Sequence, residues 1–253
     1  MANLATKRPW LTARPVAHRG LHDAANGIIE NTPGAALAAI AANYAIECDV
    51  QITADNEAMV FHDDELDRLT FETGAVAQRN AAELKLLPLR HTREPMPTLS
   101  EYCDLIGGRV VLFIELKSRF DGDLRIARRA VDVLRGYKAP FALMSFDPAL
   151  VTEVRRLAPE MTRGFISESH YASPGWNQFV SSAGKQRLAW MLDAPRMRPQ
   201  FLAHKIDDLP AGIPSALRAL FGIPILTWTV RTDAQRQSAA RNADQMIFEG
   251  FRA

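Results

Sequence analysis

Short apolar runs alternate with helical patterns along most of this chain. The runs cover 15–18, Ala45–Ile52, 58–61, 110–114, 141–144, 162–166, 201–203, 225–230 and 245–248. Helical spacing of apolar residues fills 32–43, 123–135, 148–157 and 214–221. Asn31 or Thr32 is placed to cap the first of these helices, with Pro33 in its first turn. Strands alternating with helices imply a parallel sheet. The turn at 53–56 is too short for a crossover, which needs about a dozen residues. Residues 58–61 are therefore expected to return antiparallel, as a hairpin outside the main count. The other strands begin near 15, 45, 110, 141, 162, 201, 225 and 245. Eight such strands predict an α/β fold of the (β/α)8 TIM barrel type. The stretch 188–192 competes as one further strand. Residues 64–108 do not fit a single crossover helix, since Gly74, Pro88, Pro95 and Pro97 interrupt them. They read as a small insertion after the second-strand hairpin, packed over the barrel mouth, with short helices at 80–87 and 98–106. The whole chain, 1–253, is read as one domain.

The ends of these runs carry the chemistry. His18-Arg19-Gly20 follows the first run, and Glu47-Cys48-Asp49 lies in the second. His62-Asp63 ends the hairpin, and Glu115-Leu116-Lys117 ends the next run. Glu47 and Asp49 are two apart and share a strand face, as do Glu115 and Lys117. With Ile46, Cys48 and Val50 turned to the outer helices, the acids point into the barrel. Carboxylates so close would repel one another and hold protons. One divalent cation removes that cost, and oxygen ligands suit Mg2+ or Ca2+ better than zinc. A phosphodiester resists attack because its charge repels nucleophiles. A cation, Arg19 and Lys117 would neutralise that charge as it grows. His18 and His62 have the chemistry of a general base and a general acid.

Composition narrows the partners. With 30 basic and 29 acidic residues the formal charge is +1, without the basic excess of a nucleic-acid binder. Two cysteines, Cys48 and Cys103, make neither a disulfide framework nor a zinc knuckle. Residues 1–14 lack an apolar core of signal-peptide length, and no stretch nears the roughly 20 apolar residues that span a bilayer. A cytoplasmic protein without a transmembrane segment is expected.

Plainer roles compete for several residues. Glu115 with Lys117 alone could be a structural ion pair. His22, His91 and His170 read as solvated loop residues, whereas His204 and Lys205 end a strand without a partner motif. Trp228 ends a late strand. It is either a core residue or a ring lining the pocket, and it is carried as a candidate substrate contact.

Taken together, the motifs resemble the glycerophosphodiester phosphodiesterase family, of the cytoplasmic bacterial type, from Ala17 to about Glu249. The resemblance rests on His18-Arg19-Gly20, Glu30-Asn31-Thr32, Ile46-Glu47-Cys48-Asp49-Val50 and Val60-Phe61-His62-Asp63. It continues through Leu66-Asp67-Arg68-Leu69-Thr70, Pro97-Thr98-Leu99, Ile114-Glu115-Leu116-Lys117, Ser145-Phe146 and Thr227-Trp228-Thr229. It implies a (β/α)8 barrel, His18 and His62 as the acid/base pair, and Glu47, Asp49 and Glu115 as ligands of Mg2+ or Ca2+. Arg19 and Lys117 match positions that hold the phosphate, and Asn31 matches one that steadies the first loop. The reaction implied is hydrolysis of a glycerophosphodiester to sn-glycerol 3-phosphate and an alcohol. Two departures stand out. The family usually has glycine near Asn43-Tyr44, and its last strand commonly ends in Thr-Asp before proline, where this chain has Phe248-Glu249-Gly250. A terminal helix is then short or absent, which leaves residues 1–14 or a partner subunit, as in a homo-oligomer, to close the seam.

Two other functions are compatible with the residues. The same site could act on an acylated phosphodiester, a lysophospholipid or phosphatidylglycerol, given an apolar groove from 64–108 or 171–179. Alternatively the chain could be a non-catalytic module that binds phosphodiesters, although such a module has no need of two proton-transfer groups.

Overall fold

Strands and helices alternate along residues 8–253, the residues that the computed structural model describes, in the order of a (β/α)8 barrel. The chain divides into two compact units. The first comprises Val16–Lys117 and Leu124–Ala142, and the second comprises the described residues up to Pro15, Ser118–Asp123 and Leu143–Ala253.

In the first unit, β1 (Val16–Ala17) leads to α1 (Pro33–Ala41), and β2 (Ala45–Ile52) follows. Thr32 caps α1 by accepting from the Ala35 amide, and Pro33 sits at the first position, where no amide is needed. Asn43 ends the helix with φ of 61°, the left-handed conformation that asparagine tolerates best after glycine. The family's usual glycine is thus replaced without losing the turn. β1 pairs in parallel with β2. β3 (Ala58–Val60) returns antiparallel, with Val50 opposite Val60, so the expected hairpin forms. β4 (Leu112–Leu116) lies parallel on the other edge of β2.

Between β3 and β4 the chain builds a small core of its own from Met59, Phe61, Leu66, Val76, Leu84, Leu89 and Met96. Each large side chain buried there contributes about 1.5–3 kcal/mol. The helices α2 (Ala81–Leu86) and α3 (Leu99–Ile106) belong to this segment, and both open with capping boxes, Asn80 with Glu83 and Thr98 with Glu101. α4 (Arg125–Leu134) completes the unit.

The second unit runs β5 (Phe141–Ser145, whose first two residues belong to the first unit), α5 (Pro148–Leu157), β6 (Arg163–Ser167), α6 (Ser182–Ala189) and α7 (Ala194–Met197). It continues through β7 (Phe201–Lys205), α8 (Gly212–Phe221), β8 (Ile225–Val230), α9 (Asp233–Asn242) and β9 (Gln245–Phe248). Residues 143–145 of β5 pair with β6, and β6, β7, β8 and β9 pair successively, all in parallel. Gly164 is required where it stands, because a Cβ there would lie 2.3 Å from the Phe201 ring.

All eight expected strand starts are matched within two residues. The stretch 188–192 is not a strand, because α6 reaches Ala189 and a turn follows. Two helices, α6 and α9, have no apolar period to announce them. Only Leu188 is buried in the first and only Ala239 in the second. Their caps, Ser181 and Thr232, are the legible signal. No helix follows β9 among the described residues. The Gln245 amide instead donates to the Thr12 carbonyl at 2.9 Å, which ties 8–14 to the start of β9. Residues 1–7 of the expected seam lie outside the described residues.

Candidate active site

The register of β2 against β4 assembles an acidic cluster. Asp49 stands opposite Glu115 across the parallel pair, and Glu47 lies two residues earlier on the same face as Asp49. Carboxylate oxygens of Glu47, Asp49 and Glu115 all lie within 4.8 Å of one another. Lys117, two residues beyond Glu115, places Nζ 2.8 Å from Asp49 Oδ1 and 2.8 Å from Glu115 Oε1.

The loop after β1 is folded onto this cluster by backbone geometry. Arg19 and Gly20 both adopt left-handed conformations, with φ of 55° and 76°. That turn lets the Arg19 amide donate to Glu47 Oε2 (3.0 Å) and the Gly20 amide donate to the Glu47 carbonyl (3.1 Å). No side chain fits at Gly20, where a Cβ would lie 2.8 Å from Ala35. Asn31 locks the loop in place. Its amide nitrogen Nδ2 donates to Asp49 Oδ2 (2.9 Å), its Oδ1 accepts from the Asp49 amide (3.3 Å), and its backbone amide donates to the Arg19 carbonyl (2.9 Å). His18 Nε2 lies 4.0 Å from Glu47 Oε2.

The acids do not share their charges evenly. Glu47 is 1% exposed, and its Oε1 is buried with no hydrogen-bond partner. Burial, with the charges of Asp49 and Glu115, raises its carboxyl well above the ordinary range. Burial alone would also raise Asp49, but Lys117, His62 and Arg19 outweigh it and hold this group well below its ordinary value. Lys117 is itself raised, since Asp49 and Glu115 together overcome its burial. An orphaned carboxylate oxygen beside two other carboxylates fits a hard divalent cation, which is the ligand that carboxylate oxygens serve.

His62 joins from the hairpin. Its carbonyl accepts from Gln51 Nε2 at 3.0 Å, and the Phe61 amide donates to the Asp49 carbonyl at 3.0 Å. The ring Nδ1 lies 2.7 Å from Asp63 Oδ1. Burial raises Asp63, but its bonds to His62 and Arg68 prevail and hold it well below its ordinary range. An ionised Asp63 sets the His62 proton on Nδ1 and leaves Nε2 for chemistry. Arg68 grips Asp63 through Nε (2.6 Å) and Nη2 (3.1 Å), and Glu30 through Nη1 (2.9 Å) and Nη2 (2.7 Å). Glu30 in turn accepts from Arg19 Nη1 at 2.7 Å. Arg68 was not among the residues singled out by chemistry. It lies 38 positions from Glu30, and spacing offers no signal for so distant a pair.

His18, Arg19, Glu47, Asp49, His62, Glu115 and Lys117 thus all belong to the first unit. Trp228 belongs to the second, on β8. Its indole donates to the Ala203 carbonyl (2.8 Å) and its ring meets Phe146 edge-on at 5.4 Å. Within 171–179, Trp176 packs against Phe120, Phe146 and Tyr171, and its indole donates to Glu168. Cys48 and Cys103 are buried and free, and burial pushes the Cys103 thiol up to about 12, which leaves it inert.

A sequence model of the glycerophosphoryl diester phosphodiesterase family matches residues 18–250. A glycerophosphodiester phosphodiesterase of Caldanaerobacter subterraneus subsp. tengcongensis is 28% identical over 237 residues, 89% of each chain. Among solved structures, an Oleispira antarctica phosphodiesterase in complex with the product sn-glycerol-3-phosphate superposes with a TM-score of 0.77, covering 94% of each chain at 22% identity. A Thermotoga maritima glycerophosphodiester phosphodiesterase gives 0.70, over 93% of this chain and 94% of that one, at 23% identity.

Proposed function

Because the chain belongs to the glycerophosphoryl diester phosphodiesterase family and is an enzyme of that activity, we propose that it hydrolyses deacylated glycerophosphodiesters to sn-glycerol 3-phosphate and an alcohol, with a divalent cation and two histidines. The observation that carries this reading is the convergence of Glu47, Asp49 and Glu115 within 4.8 Å, with the buried oxygens Glu47 Oε1 and Asp49 Oδ1 both without a hydrogen-bond partner, the latter meeting Lys117 as an ion pair alone.

In this reading Glu47, Asp49 and Glu115 hold the cation, Mg2+ or Ca2+. Bound there, it supplies positive charge to the phosphate oxygens as negative charge grows on them. Lys117 and Arg19 face the same phosphate and add to that neutralisation. Arg19 is held ready by Glu30, and Lys117 by Asp49 and Glu115, so neither must be ordered when substrate arrives. One histidine takes a proton from the attacking hydroxyl, which is a glycerol hydroxyl or water. The other protonates the leaving alcohol. Attack by the glycerol hydroxyl gives a cyclic phosphate that water then opens. His62 is oriented by Asp63, and His18 stands beside Glu47. Trp228 is assigned a contact with substrate. The product named for the Oleispira antarctica enzyme supports the glycerol phosphate end of this assignment.

One catalytic domain acting on a small soluble phosphodiester, without nucleic acid and in the cytoplasm, completes the reading. No helix among the described residues is long and apolar enough to cross a membrane. For the acylated alternative, 171–179 offers a packed Trp176, while 64–108 carries the exposed Phe71 and Leu86.

The test is release of glycerol 3-phosphate from glycerophosphocholine, glycerophosphoethanolamine, glycerophosphoglycerol and a dispersed lysophospholipid. It is run in EDTA and then with Mg2+ or Ca2+ restored. Release from the deacylated substrates only with metal is expected. Activity that survives EDTA, or that persists in His18→Ala or His62→Ala, overturns the mechanism. Turnover of the lysophospholipid alone moves the assignment to the acylated class.

A further inference from the structure

Five arginines of the second unit stand close together along the loops before β6 and β7, and among the described residues no carboxylate pairs with any of them. Arg163 opens β6 and is only 6% exposed. Its Nε donates to the Met197 carbonyl (2.9 Å), and its Nη1 donates to the carbonyls of Pro159 (3.2 Å) and Met161 (3.4 Å). Arg155, in the last turn of α5, donates to the carbonyl of Arg196 at 2.6 Å. Arg8 donates through Nε to Thr162 Oγ1, next to Arg163. Arg196 and Arg198 are exposed at the end of α7. Among the described residues none of the five makes an ion pair. Of the nearest acids along the chain, Glu153 is taken by Arg156 and Asp193 by Arg187, and Glu160 is exposed and makes no ion pair with any of the five. Residues 1–7 contain no acid.

The plain explanation is that arginines favour helix C-termini. Each such end carries about half a negative charge. α5 and α7 together therefore offset roughly one of five positive charges. Burial, with Arg155, Arg8 and Arg198 nearby, lowers Arg163 to about 10. The exposed Glu160 offsets at most one further charge, so the cluster keeps a positive excess although the chain as a whole holds 30 basic and 29 acidic residues.

We propose that this cluster binds a multiply charged phosphate-bearing anion. Guanidinium forks match phosphate oxygens in pairs, which makes phosphate the anion such a group recognises best. Arg163 stands at the N-terminal end of β6, and Arg196 and Arg198 precede β7. In a barrel of this class the chemistry lies at the other ends of the strands, so the ligand here is held rather than turned over. The phosphate could belong to a free anion such as pyrophosphate or to an anionic phospholipid headgroup.

The experiment is calorimetric titration of the full-length protein with pyrophosphate at low salt, and flotation with phosphatidylglycerol or phosphatidylcholine vesicles. Wild type is compared with the double variant Arg155→Gln/Arg198→Asn. Asparagine suits position 198, where φ is 46°. Arg163 is kept because its three carbonyl bonds hold the loops. Binding of pyrophosphate or of phosphatidylglycerol vesicles, weakened about tenfold or more in the variant with its unfolding curve unchanged, is expected. Pyrophosphate binding alone identifies a free anion, and vesicle binding alone identifies a headgroup. Wild type that binds neither overturns the proposal. So does binding that the double variant retains and that Arg19→Ala abolishes, since that binding belongs to the catalytic phosphate site.

Discussion

Two charged clusters in this protein are unbalanced in opposite directions. In the first unit Glu30, Glu47, Asp49, Asp63 and Glu115 face Arg19, Arg68 and Lys117. Five carboxylates against three cations leave two negative charges, the charge of one divalent cation. In the second unit five arginines make no ion pair among the described residues. Buried ionic groups are tolerated when they are paired and hydrogen-bonded. Each cluster has met that condition as far as its own side chains allow, and what is missing identifies the ligand. A deficit of two positive charges among oxygen donors calls for a hard cation, and a deficit of negative charge among guanidinium groups calls for an oxyanion.

The largest effect is expected where the first deficit is removed. Glu47→Gln takes away one carboxylate that would hold the cation. Activity should fall about 10³-fold, the scale of losing one element of transition-state charge stabilisation. In EDTA the variant should be no less stable than wild type, because the raised Glu47 carboxyl gains nothing from ionising in the fold. The rise in Tm that wild type shows on adding Mg2+ or Ca2+ should shrink or vanish. A metal-free Glu47→Gln protein that unfolds several degrees lower would mean that the carboxylate supports the fold instead. His62→Ala comes next, with kcat expected to fall about 10²–10⁴-fold and metal binding intact. A loss of metal binding in that variant would erase the division between ligands and acid/base groups.

The comparison extends to imidazoles. His62 is paired with an ionised carboxylate, whereas His204, in the second unit, is buried beside Ser167 Oγ (2.8 Å) and Ser169 Oγ (3.4 Å). Burial, only partly countered by Asp208, lowers His204 from 6.5 to about 4. The folded protein therefore keeps this ring neutral while the unfolded chain binds a proton below about pH 6.5. Stability contributed by His204 is present above that pH and is lost as pH falls toward about 4, by roughly 3 kcal/mol in all. Chemical denaturation between pH 7 and 4 should show a shallower decline in His204→Gln than in wild type. Equal slopes would mean that the ring is charged or solvated in the fold.

How much of this was legible follows from what sequence can encode. Strand starts were readable because each is a short apolar run with a polar boundary, and the acids were readable because spacing of two fixes a common face. The helix Asp233–Asn242 was not, since it buries only Ala239 and so carries no apolar period. The meeting of Asp49 with Glu115 depends on register, and register is set by pairing across a separation of 66 positions that no local pattern specifies. Arg68 was visible as part of a motif and silent as to role. The arginine cluster was hidden for the same reason, its members being scattered from Arg8 to Arg198 in a chain whose charges nearly cancel.

The smallest expected effect tests the joint within the acidic cluster. Arg68 holds Asp63 and Glu30 at once, and those two acids orient His62 and Arg19. It is a positioning residue, because no bond of its own reaches the metal ligands. Its side chain is 46% exposed, so solvent screens much of each pair and the energy at stake is modest. Arg68→Ala should lower kcat about tenfold, comparable with the loss of an orienting partner behind a ligand, and change KM little. Arg68→Lys should recover only part of the loss, since an ammonium cannot fork to two carboxylates. Added guanidinium should restore part of the activity of Arg68→Ala and none of that of His62→Ala. A KM effect that exceeds the kcat effect would instead put Arg68 in contact with substrate. The five carboxylates would then belong to two adjoining sites, and the count that assigns one divalent cation to them would no longer hold.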